Sequence, residues 1–176
     1  MIFTRSWLNE FIDISAISDD DIAKKMNSIG NEVASVEPMN VARGVVLGFV
    51  KSCEKHPDAD KLSICQVDIG SEVVQIVCGA KNVREGLYVP VATLGITLPN
   101  GLQMKPVKLR GVDSAGMICS SEEIGLPKMG AGIIEFDDSI GALVIGKELC
   151  EYESLNDTII EVELTANRGD VLSING

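Results

Sequence analysis

Val73-Val74-Gln75-Ile76-Val77-Cys78, followed at once by Gly79-Ala80-Lys81-Asn82, is the stretch whose reading decides the fold. The first six residues are mostly β-branched, which favours a strand, and the Gly-Ala-Lys-Asn tail has turn chemistry. Working outward, the same kind of short run recurs at Val45 to Lys51, Lys61 to Ile69, Val89 to Leu94 and Lys105 to Leu109. Turns at His56-Pro57-Asp58-Ala59-Asp60, Asp68-Ile69-Gly70-Ser71 and Pro99-Asn100-Gly101 punctuate the runs. Five short antiparallel strands with this punctuation predict a small five-stranded OB-type β-barrel; periodicity by itself also admits a sandwich.

Outside this middle the patterning changes to α+β. Ser6 to Ile12 predicts a short amphipathic helix with Leu8, Phe11 and Ile12 on one side. Ser18 followed by Asp19-Asp20-Asp21 is a capping pattern with acids at the positive end of a helix dipole. Ile22, Met26 and Ile29 then repeat at helical spacing, and Gly30 supplies the stop. Glu32 to Glu37 reads as a strand ended by Pro38, and Ile160, Val162 and Leu164 alternate with Glu161 and Glu163 as another. The expectation is a small discontinuous α+β domain built from both chain ends, residues 1–39 and 150–176, with the barrel, residues 40–149, inserted between them. The last twelve residues begin a further turn or helix and stop, as if cut from a longer protein.

Composition excludes several classes. The chain has 176 residues, 45% apolar and 23% charged, an ordinary globular balance. Its longest apolar run, Val45 to Val50, is far short of the roughly 20 residues of a spanning helix, and no secretory signal opens it. A cytoplasmic location without membrane partners is expected. Five widely spaced cysteines without a C-x-x-C pair argue against a disulfide framework or zinc knuckle, and Cys65 and Cys78 read as small buried hydrophobes. A single histidine, His56, excludes most Ser-His-Asp and multi-His metal arrangements. Net charge is −11, the wrong sign for a chain-wide phosphate binder. The acid is at the ends, however: Asn40 to Gly130 holds 10 Lys and Arg against 9 Asp and Glu. A near-neutral middle with its bases on one side can meet a polyanion.

Longer motifs carry a resemblance. His56-Pro57-Asp58-Ala59-Asp60-Lys61-Leu62, the run Gln75 to Arg84, Val89-Pro90-Val91-Ala92, and Lys108-Leu109-Arg110-Gly111 through Ser120-Ser121-Glu122-Glu123-Ile124-Gly125-Leu126 resemble the OB-type tRNA-binding domain of the endothelial-monocyte-activating-polypeptide class. The flanks narrow this: Trp7-Leu8-Asn9-Glu10-Phe11, Ile29-Gly30-Asn31-Glu32-Val33 and Leu164-Thr165-Ala166-Asn167-Arg168-Gly169-Asp170 resemble the N-terminal region of bacterial phenylalanyl-tRNA synthetase β subunits. The resemblance covers essentially the whole chain. It implies a fragment without a catalytic centre or cofactor of its own, from an α2β2 ligase that uses ATP and magnesium elsewhere. The implied partners are tRNA, the α subunit and the remaining β-subunit domains, with no DNA. The chain departs from the pattern after Leu126, where Pro127-Lys128-Met129-Gly130-Ala131-Gly132 replaces a more acidic loop.

The residues themselves suggest how RNA would be held. On a strand Lys108 and Arg110 share one face, two cations within phosphate reach. Lys81, Asn82 and Arg84 add two bases and an amide in a loop after a strand, and Ser120 offers a hydroxyl donor. The same six residues could instead be solvated surface groups, and His56 to Asp60 reads as a structural turn. Only Phe49 and Tyr88 are aromatic between residues 40 and 130, so stacking on bases is poorly supported. Asn167-Arg168-Gly169-Asp170 is either an internal turn or a docking point for another module. Two other functions remain open: a free-standing tRNA-binding or chaperone-like dimer, and a purely architectural insert that does not touch RNA.

Overall fold

The computed structural model describes residues 1–128 and 130–163. It separates into two compact units, one formed by Met1–Met39 with the described residues from Asn156 onward, the other by Asn40–Leu155. The motif at Asn167 to Asp170 lies outside the described residues. Among the described residues no helix is long and apolar enough to cross a membrane.

The first unit is an α+β layer. Strand β1 (Ile2–Thr4) leads into helix α1 (Arg5–Phe11), helix α2 (Asp19–Ser28) and strand β2 (Glu32–Pro38). The closing strand β10 (Thr158–Glu163) runs antiparallel between β1 and β2, so the two ends of the sequence share one sheet. Ser18 caps α2 as its sequence requires: its Oγ accepts from the Asp21 N–H and donates to the Asp21 carboxylate, 2.8 Å away. The core is Phe3, Ile14, Ile22, Ile160 and Val162. The predicted apolar side of α1 is only partly used. Leu8 packs on the core, but Phe11 at the helix end and Ile12, which has already left the helix in an extended conformation, remain 52% and 59% exposed.

The second unit is a nearly closed barrel. Strand β3 (Val45–Lys55) is long enough to serve two neighbours. Its first half pairs with β6 (Tyr88–Ala92), and its second half, across a bulge, pairs with β4 (Ser63–Asp68). Strand β5 (Val73–Cys78) extends the sheet beyond β4, and a two-residue β9 (Met117–Ile118) beyond β6. A hairpin of β7 (Val107–Leu109) and β8 (Val112–Ser114) then returns to β5. The Ala115 N–H donates to Gln75 O and the Val77 N–H to Ser114 Oγ, which brings the two sheet edges together. Val50, Cys65, Val67, Val74, Ile76, Val89, Val91 and Ile118 fill the interior, the inward set that period-2 alternation demands.

One strand differs from expectation. Lys105 to Leu109 is not the fifth strand of the sheet; Met117–Ile118 takes that place. Pro106 has no N–H for a ladder, so pairing begins at Val107 and folds back on itself. Cys65 and Cys78 are buried as expected, Cys119 is buried too, and burial pushes all three thiols up, Cys119 to about 12.

Candidate nucleic-acid interface

The six predicted contact residues fall on two loops and on the β7–β8 hairpin, and their polar groups have different fates. Asn82 is committed internally. Its Nδ2 donates to Ile133 O at 2.8 Å and to Glu135 Oε1 at 3.2 Å, while its Oδ1 accepts the Ile133 N–H at 3.1 Å. Arg84 forks onto the same carboxylate, both nitrogens 2.9 Å from the two Glu135 oxygens. Ser120 donates its hydroxyl to Glu123 Oε2 at 2.9 Å, with its backbone N–H aimed at the same oxygen. Lys108 lies opposite Asp113 in the hairpin and pairs with it at 3.5 Å, an exposed and therefore weak contact.

Arg110 is not on the strand face that alternation assigned to it. It occupies the first of two turn positions between Leu109 and Val112, with φ +50°, and Gly111 follows at +86°. Two positive φ values in a two-residue loop are the requirement of a type I′ turn, which fits the twist of the hairpin. Its guanidinium stands at the hairpin tip without an ion pair among the described residues. Lys81 is likewise exposed and unpaired.

His56 explains how the hairpin tip is held. The ring is 4% exposed; Nδ1 accepts the Asp58 N–H at 3.0 Å, so Nε2 carries the proton and donates to Leu109 O at 3.2 Å. The turn read from His56 to Asp60 is thus the support on which the Arg110 loop rests.

Electrostatics at the second loop yield a test. The Arg84 hydrogen bonds hold the Glu135 carboxyl below its ordinary value, with Asn82 adding to the effect, and Glu135 in turn raises Arg84. A depressed carboxyl stabilises fully above its ordinary, unfolded value and loses that contribution as pH falls through the lower folded value. Hydrogen exchange at the Ile133 amide, corrected for intrinsic rates, is therefore expected to lose protection on acidification through and below the ordinary glutamate range. The pair is exposed, so the change is modest; a Glu135→Gln chain that keeps the same pH profile would refute the assignment.

Two cations outside the six expected contacts line a cavity together with Lys81. Lys55 and Lys61 bracket the His56 to Asp60 turn, and the signal was there: a tight turn brings its two ends together, and both ends are lysine.

The barrel carries exposed cations, Lys81, Lys108 and Arg110, on its loops and hairpin. The family model described as "Putative tRNA binding domain" matches residues 45–142, more than half of the chain, and the chain belongs to that family. Its whole length is 60% identical to the phenylalanine–tRNA ligase beta subunit of Sulfurimonas denitrificans, covering 23% of that protein. It is 57% identical, again over its whole length and 23% of the relative, to that of Campylobacter jejuni strain RM1221. The chain thus spans about a quarter of the length of these relatives. Among solved structures it is similar to a MetRS-related protein from Pyrococcus horikoshii, with TM-score 0.44 and 26% identity over 60% of this chain and 87% of that one.

Proposed function

We propose that this chain is the tRNA-binding, non-catalytic module of a phenylalanine–tRNA ligase β subunit. The observation that carries the reading is the tRNA-binding family match over the barrel, together with 60% identity to such a subunit along the entire chain. Phenylalanine activation, ATP, magnesium, the α subunit and the α2β2 assembly belong in this proposal to the whole ligase, in the cytoplasm. Among the described residues no three His, Cys, Asp or Glu side chains come together as a metal-holding group.

In this reading Lys81, Lys108 and Arg110 meet RNA phosphates, while Asn82, Arg84 and Ser120 contact RNA only by exchanging an internal partner for it. Backbone contacts of this kind fix position without reading sequence. Affinity should be low and salt-dependent, gaining strength when other RNA contacts of the ligase act on the same tRNA. The test is a titration of the 176-residue chain with tRNA at low and moderate salt, against a non-tRNA duplex. Salt-dependent binding that prefers tRNA is the expected result; absence of binding at low salt would leave an architectural insert. That second reading is favoured by the internal commitment of Asn82, Arg84 and Ser120 and by the net charge of −11.

A charge-removing pair tests the hairpin. Asn tolerates positive φ before Gly, so Lys108→Gln with Arg110→Asn keeps the turn and deletes both cations. It should weaken tRNA binding of the intact ligase about tenfold at low salt, with phenylalanine activation unchanged. Equal affinity of variant and parent would remove the hairpin from the interface.

A further inference from the structure

Three of the cations that have no carboxylate partner gather at one end of the barrel sheet. Lys55 ends β3 opposite Ser63, the first residue of β4, and Ser63 in turn faces Cys78, the last of β5. Those strand ends, the turn carrying Lys61 and the loop carrying Lys81 enclose a cavity of about 300 Å³. Lys55, Lys61 and Lys81 all line it, with Asp60 the one carboxylate among the lining side chains. All three lysines are exposed, and none makes an ion pair among the described residues, whereas Arg5, Lys24, Lys51, Arg84 and Lys108 each have an acid partner.

The supports of this cavity are fixed. The turn before Lys61 is closed by the His56 N–H on Leu62 O at 2.9 Å and the Leu62 N–H on Ala59 O at 3.0 Å, around the buried His56 ring. Lys81 is followed directly by Asn82, whose amide is bonded to the Ile133 backbone through both of its polar atoms. Ammonium groups brought to one depression on clamped loops repel one another unless an anion sits among them. Lysines without arginine or aromatic neighbours suit a phosphate as a point charge, and offer neither a bidentate fork nor a stacking face.

We propose that the Lys55, Lys61 and Lys81 cavity seats a backbone phosphate of RNA, independently of base identity. The proposal rests on the tRNA-binding reading above and extends it to two residues outside the hairpin. It assigns the His56 to Asp60 turn and Asn82 the role of positioning these cations.

The experiment uses the 176-residue chain and a Lys55→Gln/Lys61→Gln/Lys81→Gln variant, which removes charge and keeps the aliphatic stems. Affinity for tRNA is measured across a salt series, and amide shifts of Gly79 and Lys81 are followed during titration with inorganic tripolyphosphate. The variant should retain the parent's circular dichroism and melting. Its slope of log affinity against log salt should fall by about two to three, with affinity at low salt reduced at least tenfold. An unchanged slope and affinity in the folded variant overturns the proposal while leaving the tRNA reading intact. Parent chain that fails to bind tRNA at low salt overturns that reading and the RNA occupant with it. Tripolyphosphate shifts that vanish in the variant would then assign the cavity to a free polyphosphate instead.

Discussion

A Gly48→Val chain is expected to lose the barrel. Gly48 lies where β3 passes from its pairing with β6 to its pairing with β4. A Cβ built at this position would sit 2.5 Å from Val91 Cγ2 and 2.9 Å from Val67 Cγ1, with Asp68 O at 3.4 Å. Both valines are essentially inaccessible, at 1% and 0% exposure, and β-branched side chains have little χ1 freedom with which to retreat. Overpacking of a filled core costs about 1–3 kcal/mol even where the backbone can yield. Here the backbone is held from both sides by hydrogen-bonded strands, so the cost falls at or above the upper end of that range. Against a total stability of roughly 5–15 kcal/mol, the valine chain should melt far below the parent and lose the dispersed amide resonances of β3, β4 and β6. Gly48→Ala should be intermediate. A valine variant melting within a degree or two of the parent would show that β3 can shift outward and that its packing is looser than these distances require.

The second large effect concerns Asn82, where a residue read as an RNA contact is a structural clamp. Asn82→Ala leaves the Ile133 N–H and C=O without their partner, and Ile133 is a buried member of the barrel core. Stranding a buried polar group costs about 1–3 kcal/mol, so the two together should cost about 3 kcal/mol. For a chain of this size that corresponds to a drop of roughly 6–12 °C in melting temperature. Gly132 is pressed close to the same side chain: a Cβ there would meet Asn82 Oδ1. Arg84→Gln is the control, since it removes an exposed ion pair with Glu135 and one long, exposed hydrogen bond to Asn82 O at 3.3 Å, and should shift melting little. Urea unfolding of both variants separates the two roles. Equal and small losses would mean that the loop after Leu126 is held by something other than Asn82.

These two positions show where sequence reading runs out. Ser18 before three aspartates, the alternation through Ile160 and Val162, and the β-branched run at Val73 to Cys78 each state their structure locally, because a cap or a strand face depends on near neighbours. Those signals, once the apolar faces must be buried, call for a closed or layered β middle and for a shared α+β unit from the two ends, without choosing between barrel and sandwich. The polar side chains are different. Asn82 and Arg84 look like a basic loop in sequence, and only the approach of Ile133 and Glu135, some 50 residues away, turns them inward. Arg110 alternates correctly with Lys108 on paper, yet the Arg-Gly pair forms the turn itself, because a hairpin needs two positive φ values there.

What the sequence determined alone is therefore the α+β character of both ends and the short-stranded β middle, which periodicity and capping enforce locally, while the resemblance of its motifs pointed to the OB-type barrel and its family. The tertiary structure decided which cations are free. A lysine or arginine acts on a distant phosphate only if no carboxylate of its own chain has reached it first, and that depends on contacts between residues far apart in the chain. It left Lys55, Lys61, Lys81 and Arg110 without a carboxylate partner, and it set the first three around one cavity.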